Sequence, residues 1–174
     1  MFPQDIVQQC RELVAAAQAA GLKIATAESC TGGLLSGAIT AINGSSAVFE
    51  YGFVTYANAA KADLLGVPRT VLDTHGAVSM ETAYAMAAGA RARAGADVAV
   101  SVTGIAGPGG GTPQKPVGLV YFGCAVDGAV TGAVRRFGNL GREEVRLASV
   151  RQALTMLARA AEARGAGPSS RIGG

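Results

Sequence analysis

Apolar residues along this 174-residue chain change period repeatedly, from helical spacing to short β-type runs and back, and the order of those changes leaves few folds open. Residues 5–20 place Ile6, Val7, Cys10, Leu13, Val14 and Ala17 at helical spacing, with Gly21 as the expected C-cap. "KIATAE" then reads as a buried strand, and after the glycines at 32 and 33 "LLSGAITAI" resumes apolar character as the start of a helix. "AVFEYGFVTY", residues 47–56, is rich in β-branched and aromatic residues and reads as a second strand. "NAAKADLLG" reads as a short helix ended by Gly66 and Pro68. Ser79 is the expected N-cap, with Glu81 in the first turn, of a helix running to Gly95, and "DVAVSVTG" is a third strand. The loop "GIAGPGGGTPQKP" leads into "VGLVYFGCAV", which turns through Asp127 and Gly128 into "AVTGAVRRF" as a hairpin. A last helix starts near Gly141, with Leu147, Val150, Leu154, Leu157 and Ala161 on one face.

Helix, strand, helix, strand, helices, strand, hairpin, helix: this order predicts the α/β class, as a three-layer α/β/α sandwich with a mixed, mostly parallel sheet. The expected organisation is one domain over residues 1–164 and a flexible tail over 165–174. Apolar residues make up 49% of the chain but aromatics only 5%, so the core has to be packed closely from small and aliphatic side chains.

The same composition narrows the function. Fifteen basic residues against 12 acidic ones give a formal charge of +3, without a basic run interleaved with aromatics; nucleic acid is not the expected partner, whereas a small anion is compatible. Cys10, Cys30 and Cys124 are odd in number, far apart and without CxxC spacing, which argues against a disulfide framework or a zinc site and for a reducing cytoplasm. Asp5 and Arg11 precede any apolar stretch at the N-terminus, so no signal peptide is expected, and the uncharged stretch 29–49 is too broken by Gly, Ser, Thr and Asn for a membrane segment.

Ligands of open α/β sheets gather at the carboxyl ends of parallel strands, and two polar loops fall at such ends. In the first, "ESCTGG", Ser29 lies where strand gives way to helix. Its hydroxyl is either an N-cap, as Thr31 is too, or a nucleophile beside the free amides of Cys30 to Gly33; Gly32 and Gly33 have no side chain to keep a carbonyl away from those donors. A nucleophilic serine needs a base. His75, the sole histidine, sits in the turn-like "DTHGAVS" without a companion motif, while Lys61 stands on an Ala- and Leu-rich helix just after the second strand, where apolar surroundings would favour loss of its proton. The plain alternative is a solvated helix lysine. Tyr56 is either a hydrogen-bonding partner of that pair or an anchor of the strand end. Cys30 is the rival nucleophile or inert packing. The second loop, after Thr103, offers successive free amides to an anion, although it matches neither a Walker A motif nor GxGxxG; otherwise it is a flexible loop.

Taken together, "TAESCTGGLLSGAIT", "YGFVTYANAAKADLLGV", "GAVSMETAYAMAAGAR" and "AVSVTGIAGPGGGTPQKPVGLVYFG" resemble the CinA C-terminal domain family of nicotinamide-nucleotide amidohydrolases, in order, from about residue 5 to about residue 163. The resemblance implies a CinA-like α/β/α domain of anticodon-binding-domain-like topology, a homodimer or higher homo-oligomer, no cofactor and no metal requirement. It implies hydrolysis of the carboxamide of nicotinamide mononucleotide in pyridine nucleotide salvage, with Ser29 as nucleophile and Lys61 and Tyr56 as its catalytic partners. Many relatives carry an additional molybdopterin-binding-like domain that this chain is too short to hold, so the pyrophosphatase activity of that domain is expected to be absent. Ala57 and Ala59 depart from the more polar "YSNEAK" associated with the family, which bears on substrate preference. Residues expected around the substrate are Glu28, Thr31, Gly32 and Gly33 in the first loop, and Thr103, Gly104, Gly107, Gly110, Gly111 and Thr112 in the second; Glu28 would otherwise orient Lys61 or the turn, or balance charge near the site. Arg142 is expected to add charge for the ribose phosphate, within its own chain or across a dimer interface.

Overall fold

The computed structural model describes residues 1–165; the expected tail from residue 166 onward lies outside the described residues. The elements in chain order are α1 (Gln4–Ala20), β1 (Ile24–Glu28), α2 (Leu34–Thr40), a 3-10 turn at Ser45–Ala47, β2 (Phe49–Val54), α3 (Asn58–Leu65), α4 (Arg69–His75), α5 (Met80–Ala94), β3 (Val98–Gly104), β4 (Leu119–Val126), β5 (Ala129–Arg136) and α6 (Arg142–Gly165). The five strands form one sheet in the order β2-β1-β3-β4-β5.

Every residue of β1, and all of β3 but its last, is buried, which is possible only because helices cover both faces of the sheet. On one face α1, α2 and α6 pack Ile6, Leu13, Leu35, Ile39, Val150, Leu154 and Leu157 against Ile24, Val98, Val100 and Phe122. On the other, Leu65, Leu72, Met86 and Ala90 of α3, α4 and α5 pack against Ala25, Ala27 and Ala99. That second layer is built largely from alanine, so its helices sit close to the sheet and to one another. Gly89 of α5 shows how close: a Cβ there would stand 1.9 Å from the carbonyl oxygen of Leu65.

The expected three layers and mixed sheet hold. β1 pairs in parallel with β2 and β3, and β3–β4 and β4–β5 are antiparallel, so four strands run the same way and β4 runs against them. A parallel pair needs a crossover connection; β3 reaches β4 through a loop alone, and β4 reaches β5 through the two-residue Asp127-Gly128 turn. Two boundaries differ. Ala47 belongs to the 3-10 turn and Tyr56 lies past the end of β2, while His75, expected in a turn, closes the short helix α4.

This topology fixes where a ligand can sit. β1 sends the chain through α2 to β2 on one side, whereas β3 lies on its other side, so the carboxyl ends of β1 and β3 flank a switch point. Both polar loops open there. Gly89→Ala separates packing from propensity: helix propensity alone would add about 1 kcal/mol of stability, whereas the contact with Leu65 should cost about 2 kcal/mol or more, visible as a lower midpoint in thermal unfolding.

Candidate active site

Past its last residue, β1 stays in register with its neighbours for one more step: the Ser29 amide donates to Val102 O at 2.9 Å and the Thr55 amide to Glu28 O at 2.8 Å. The nucleophile candidate and the end of β2 are thereby held side by side. Three residues after Thr55 α3 begins, and Lys61 and Leu65, four apart and on the same face, both turn inward. Lys61 is 0% exposed, the largest fully buried side chain of the molecule's described part. Its Nζ donates to Thr55 O at 2.8 Å, to Tyr56 O at 3.1 Å and to Ser29 Oγ at 3.1 Å.

Those three contacts bear on the proton. An ammonium would spend its three hydrogens on them, but no carboxylate among the described residues pairs with it, and burial pulls the Lys61 pKa down from its ordinary 10.5 to about 8. A neutral amine gives its two hydrogens to the two carbonyls and turns its lone pair toward the serine hydroxyl. Cys30, the rival nucleophile, is 6% exposed, and burial pushes its thiol up to about 12, which keeps it protonated and unreactive. His75 lies apart from the pair: its Nδ1 is 3.6 Å from Glu81 Oε1, and its carbonyl accepts from Lys115 Nζ at 2.8 Å.

Ser29, Cys30, Tyr56 and Lys61 line a cleft of about 260 Å³ with Ala77, Val78, Thr103, Gly104, the loop Ile105–Gly110 apart from Pro108, and Arg142. Of the expected site residues the structure brings Ser29, Tyr56, Lys61, Thr103, Gly104, Gly107, Gly110 and Arg142 together there. Arg142 reaches the cleft of its own chain: Nη1 donates to Gly107 O at 2.9 Å and Nη2 to Tyr56 Oη at 3.2 Å. Tyr56 therefore serves the pair through its main-chain carbonyl, while its phenol faces Arg142. The Thr103 hydroxyl donates to Ala77 O at 2.7 Å and holds the segment before α5 as one wall.

Six expected residues do not line the cleft, each for a visible reason. Both oxygens of Glu28, which is 0% exposed, accept from the start of α2: from the amides of Gly33 (3.0 Å), Leu35 (3.0 Å) and Ser36 (2.8 Å) and from the Ser36 hydroxyl. It caps α2 from the end of β1, where an N-terminal helix dipole favours a carboxylate. Gly32 and Gly33 have spent their amides on Ser29 O and Glu28, so the turn's amides without an acceptor among the described residues are those of Cys30 and Thr31. Thr31 itself is buried and Gly32 lies against Arg146. Thr112 forms a closed turn with Lys115, its amide donating to Lys115 O and its hydroxyl accepting from Lys115 N, and Gly111 packs on Val117. Sequence reasoning missed Ala77 and Val78, which carry no chemical signal of their own. A larger trough of about 660 Å³ lies between β4, β5 and α6, away from the Ser29–Lys61 pair. No helix of the described residues is long and apolar enough to cross a membrane, and none of their His, Cys, Asp and Glu side chains group as metal ligands would.

Residues 7–161 match the family model of the CinA C-terminal domain. A nicotinamide-nucleotide amidohydrolase PncC of Enterobacter agglomerans is 56% identical over 137 residues, 78% of this chain and 83% of that protein. A CinA-like protein of Citrifermentans bemidjiense is 49% identical over 91% of this chain, but the chain spans only 38% of that longer relative. Among solved structures, that of the competence/damage inducible protein CihA from Agrobacterium tumefaciens superposes with a TM-score of 0.89 at 54% identity, covering 90% of this chain and 96% of that one.

The Lys61 burial has a consequence for stability. The unfolded chain holds the lysine proton up to 10.5 and the folded chain releases it near 8, so folding expels a proton between those values and the cost of burying the charge fades as pH rises through them. Chemical denaturation of the protein and of Lys61→Met at pH 7 and pH 10.5 should show the wild type gaining about 3 kcal/mol relative to the variant, since about 2.5 pH units separate the two values at about 1.4 kcal/mol each.

Proposed function

The chain belongs to the CinA C-terminal domain family, and we propose that it hydrolyses the carboxamide of nicotinamide mononucleotide to nicotinate mononucleotide and ammonia through an acyl-enzyme on Ser29. The observation that carries the proposal is the 3.1 Å contact between Ser29 Oγ and an amine buried to 0% exposure with no acidic partner among the described residues. A resting serine hydroxyl is a poor nucleophile, and an adjacent base of lowered pKa is what activates it. The likeness to the Enterobacter agglomerans amidohydrolase supplies the substrate.

In this reading Lys61 takes the Ser29 proton as Oγ attacks the carboxamide carbon. The free amides of Cys30 and Thr31 stabilise the oxyanion. Lys61 then returns the proton to the departing nitrogen, ammonia leaves, and the nicotinoyl group remains as an ester on Ser29. Water enters along the same path, gives a proton to Lys61, and the ester is hydrolysed. Ala77 and Val78 form the apolar side of the cleft, suited to the pyridine ring. Gly107, Gly109 and Gly110 present amides that have no acceptor among the described residues, and with Arg142 they make the phosphate end. No step calls for a metal or an organic cofactor. Exposed Tyr51 and Val54 on the edge strand β2, beside Tyr56 and Leu64, give the surface for the proposed homodimer, which a molar mass of twice the chain by light scattering would support and a monomer mass would refute.

The test of function is ammonia and nicotinate mononucleotide release from purified protein without added metal, compared with free nicotinamide and a peptide amide. The mononucleotide should be turned over best, and Ser29→Ala should lower the rate by about 10⁴-fold or more. A variant retaining most of the activity rejects Ser29 as nucleophile; wild-type protein that binds the nucleotide without releasing ammonia favours a binding module. Gly109 has open space where a Cβ would be added, so Gly109→Asp places a carboxylate in the proposed phosphate end without a steric clash. It should raise KM for the mononucleotide about tenfold or more with little change in kcat; an unchanged KM removes the loop from phosphate binding.

A further inference from the structure

Arg146 follows Arg142 by one helical turn on α6 and does not line the cleft. It reaches instead to the turn that carries the nucleophile: Nη2 donates to Thr31 O at 2.7 Å, across 115 residues of sequence. Gly32 makes the approach possible. It sits at φ +60°, and a Cβ there would stand 3.3 Å from that same nitrogen, tighter than an ordinary contact.

The turn has little else to hold it. The Thr31–Gly32 peptide is otherwise engaged by the Gly32 amide on Ser29 O at 3.1 Å and by the Leu34 amide on Thr31 O at 3.3 Å. A bond from a guanidinium is roughly twice as strong as a neutral one, so the Arg146 contact is the dominant restraint on this peptide. Upstream, the Ser29 amide is fixed on Val102 O; downstream, Glu28 fixes Gly33. The amides of Cys30 and Thr31 lie between those anchors, and the peptide that Arg146 holds puts its own Gly32 amide on Ser29 O, the carbonyl of the peptide that carries the Cys30 amide. Arg146 makes no ion pair among the described residues, so its charge is not cancelled by a carboxylate, and it acts on the Cys30 thiol against the effect of burial. A positive potential at this turn favours the negative charge that develops there.

We propose that Arg146 is a positioning residue for acyl transfer: by holding the Thr31 carbonyl it aims the Cys30 and Thr31 amides at the oxyanion formed when Ser29 attacks. The inference rests on the reading of Ser29 as nucleophile. It differs from any role of Arg142, because Arg146 touches the turn from outside the cleft and is not placed to touch substrate.

The experiment is steady-state deamidation of nicotinamide mononucleotide by wild type, Ser29→Ala, Arg146→Met and Arg146→Lys. Misdirected oxyanion donors weaken the transition state and not the ground state. Arg146→Met should therefore lower kcat about 10- to 100-fold with KM within about twofold. Arg146→Lys, which keeps the charge and a donor, should recover a large part of the loss. Arg146→Gln, with a polar end suited to a half-buried site, carries the same expectation as Arg146→Met should that variant fail to fold. An unchanged kcat, a loss confined to KM, or a lysine variant no better than methionine overturns the proposal. Wild-type protein without turnover removes the underlying reading of the site, whereas active wild type beside fully active Arg146 variants removes this inference alone.

Discussion

An amine without a counter-charge, shut away from water, is the constraint on which the site depends. Lys61 is costly to bury, and the fold accepts that cost because the carbonyls of Thr55 and Tyr56 wait at the end of β2 to receive its hydrogens. They wait there because Thr55 continues the pairing with β1 beyond the sheet proper, through its amide on Glu28 O. At pH 7 a lysine of ordinary pKa is neutral in about one molecule in 3,000; with its pKa near 8 the neutral fraction is about a tenth, roughly 300-fold more base beside Ser29. In the proposed reaction, stability at neutral pH is exchanged for a usable proton acceptor, a trade expected at catalytic positions.

Around that pair the loops are held by side chains bonded to distant main chain. Glu28 secures the first turn of α2, Thr103 secures Ala77, Arg142 secures Gly107, and Arg146 secures Thr31. Two of the four come from successive turns at the start of α6, so one rigid helix tethers both polar loops at the switch point. A site assembled from turns gains precision in this way, since each restrained carbonyl sets the direction of the neighbouring amides.

Much of this was legible in the sequence because it is local. Period changes gave the element order, Ser79 caps α5 through its hydroxyl on the Thr82 amide, and the Asp127-Gly128 turn joins β4 to β5. The apolar setting of Lys61 was visible in outline, since it stands on an Ala- and Leu-rich helix just after a strand. What could not be read was long-range. Glu28 offers itself equally as a substrate residue and as an orienter of Lys61 or of the turn, and only its bonds to Leu35 and Ser36, seven and eight residues on, decide for the turn. Gly32 suggested room for a substrate, whereas the room admits Arg146. Arg146 stands among Arg142, Glu143 and Glu144, where one arginine of a charged helix start carries no mark of a buried contact. The reversal of β4 within the expected mixed sheet follows from a β3–β4 loop that lacks a crossover helix.

The most direct measurement is the titration of Lys61 itself, followed by the NMR chemical shifts of its Cε and Nζ and assigned through the loss of the signal in Lys61→Met. A midpoint near 8 is expected, well below the ordinary lysine value of 10.5. A midpoint near 10.5 would mean that Lys61 stays an ammonium throughout the neutral range, and the Ser29–Lys61 pair would then be a structural contact with no base to offer.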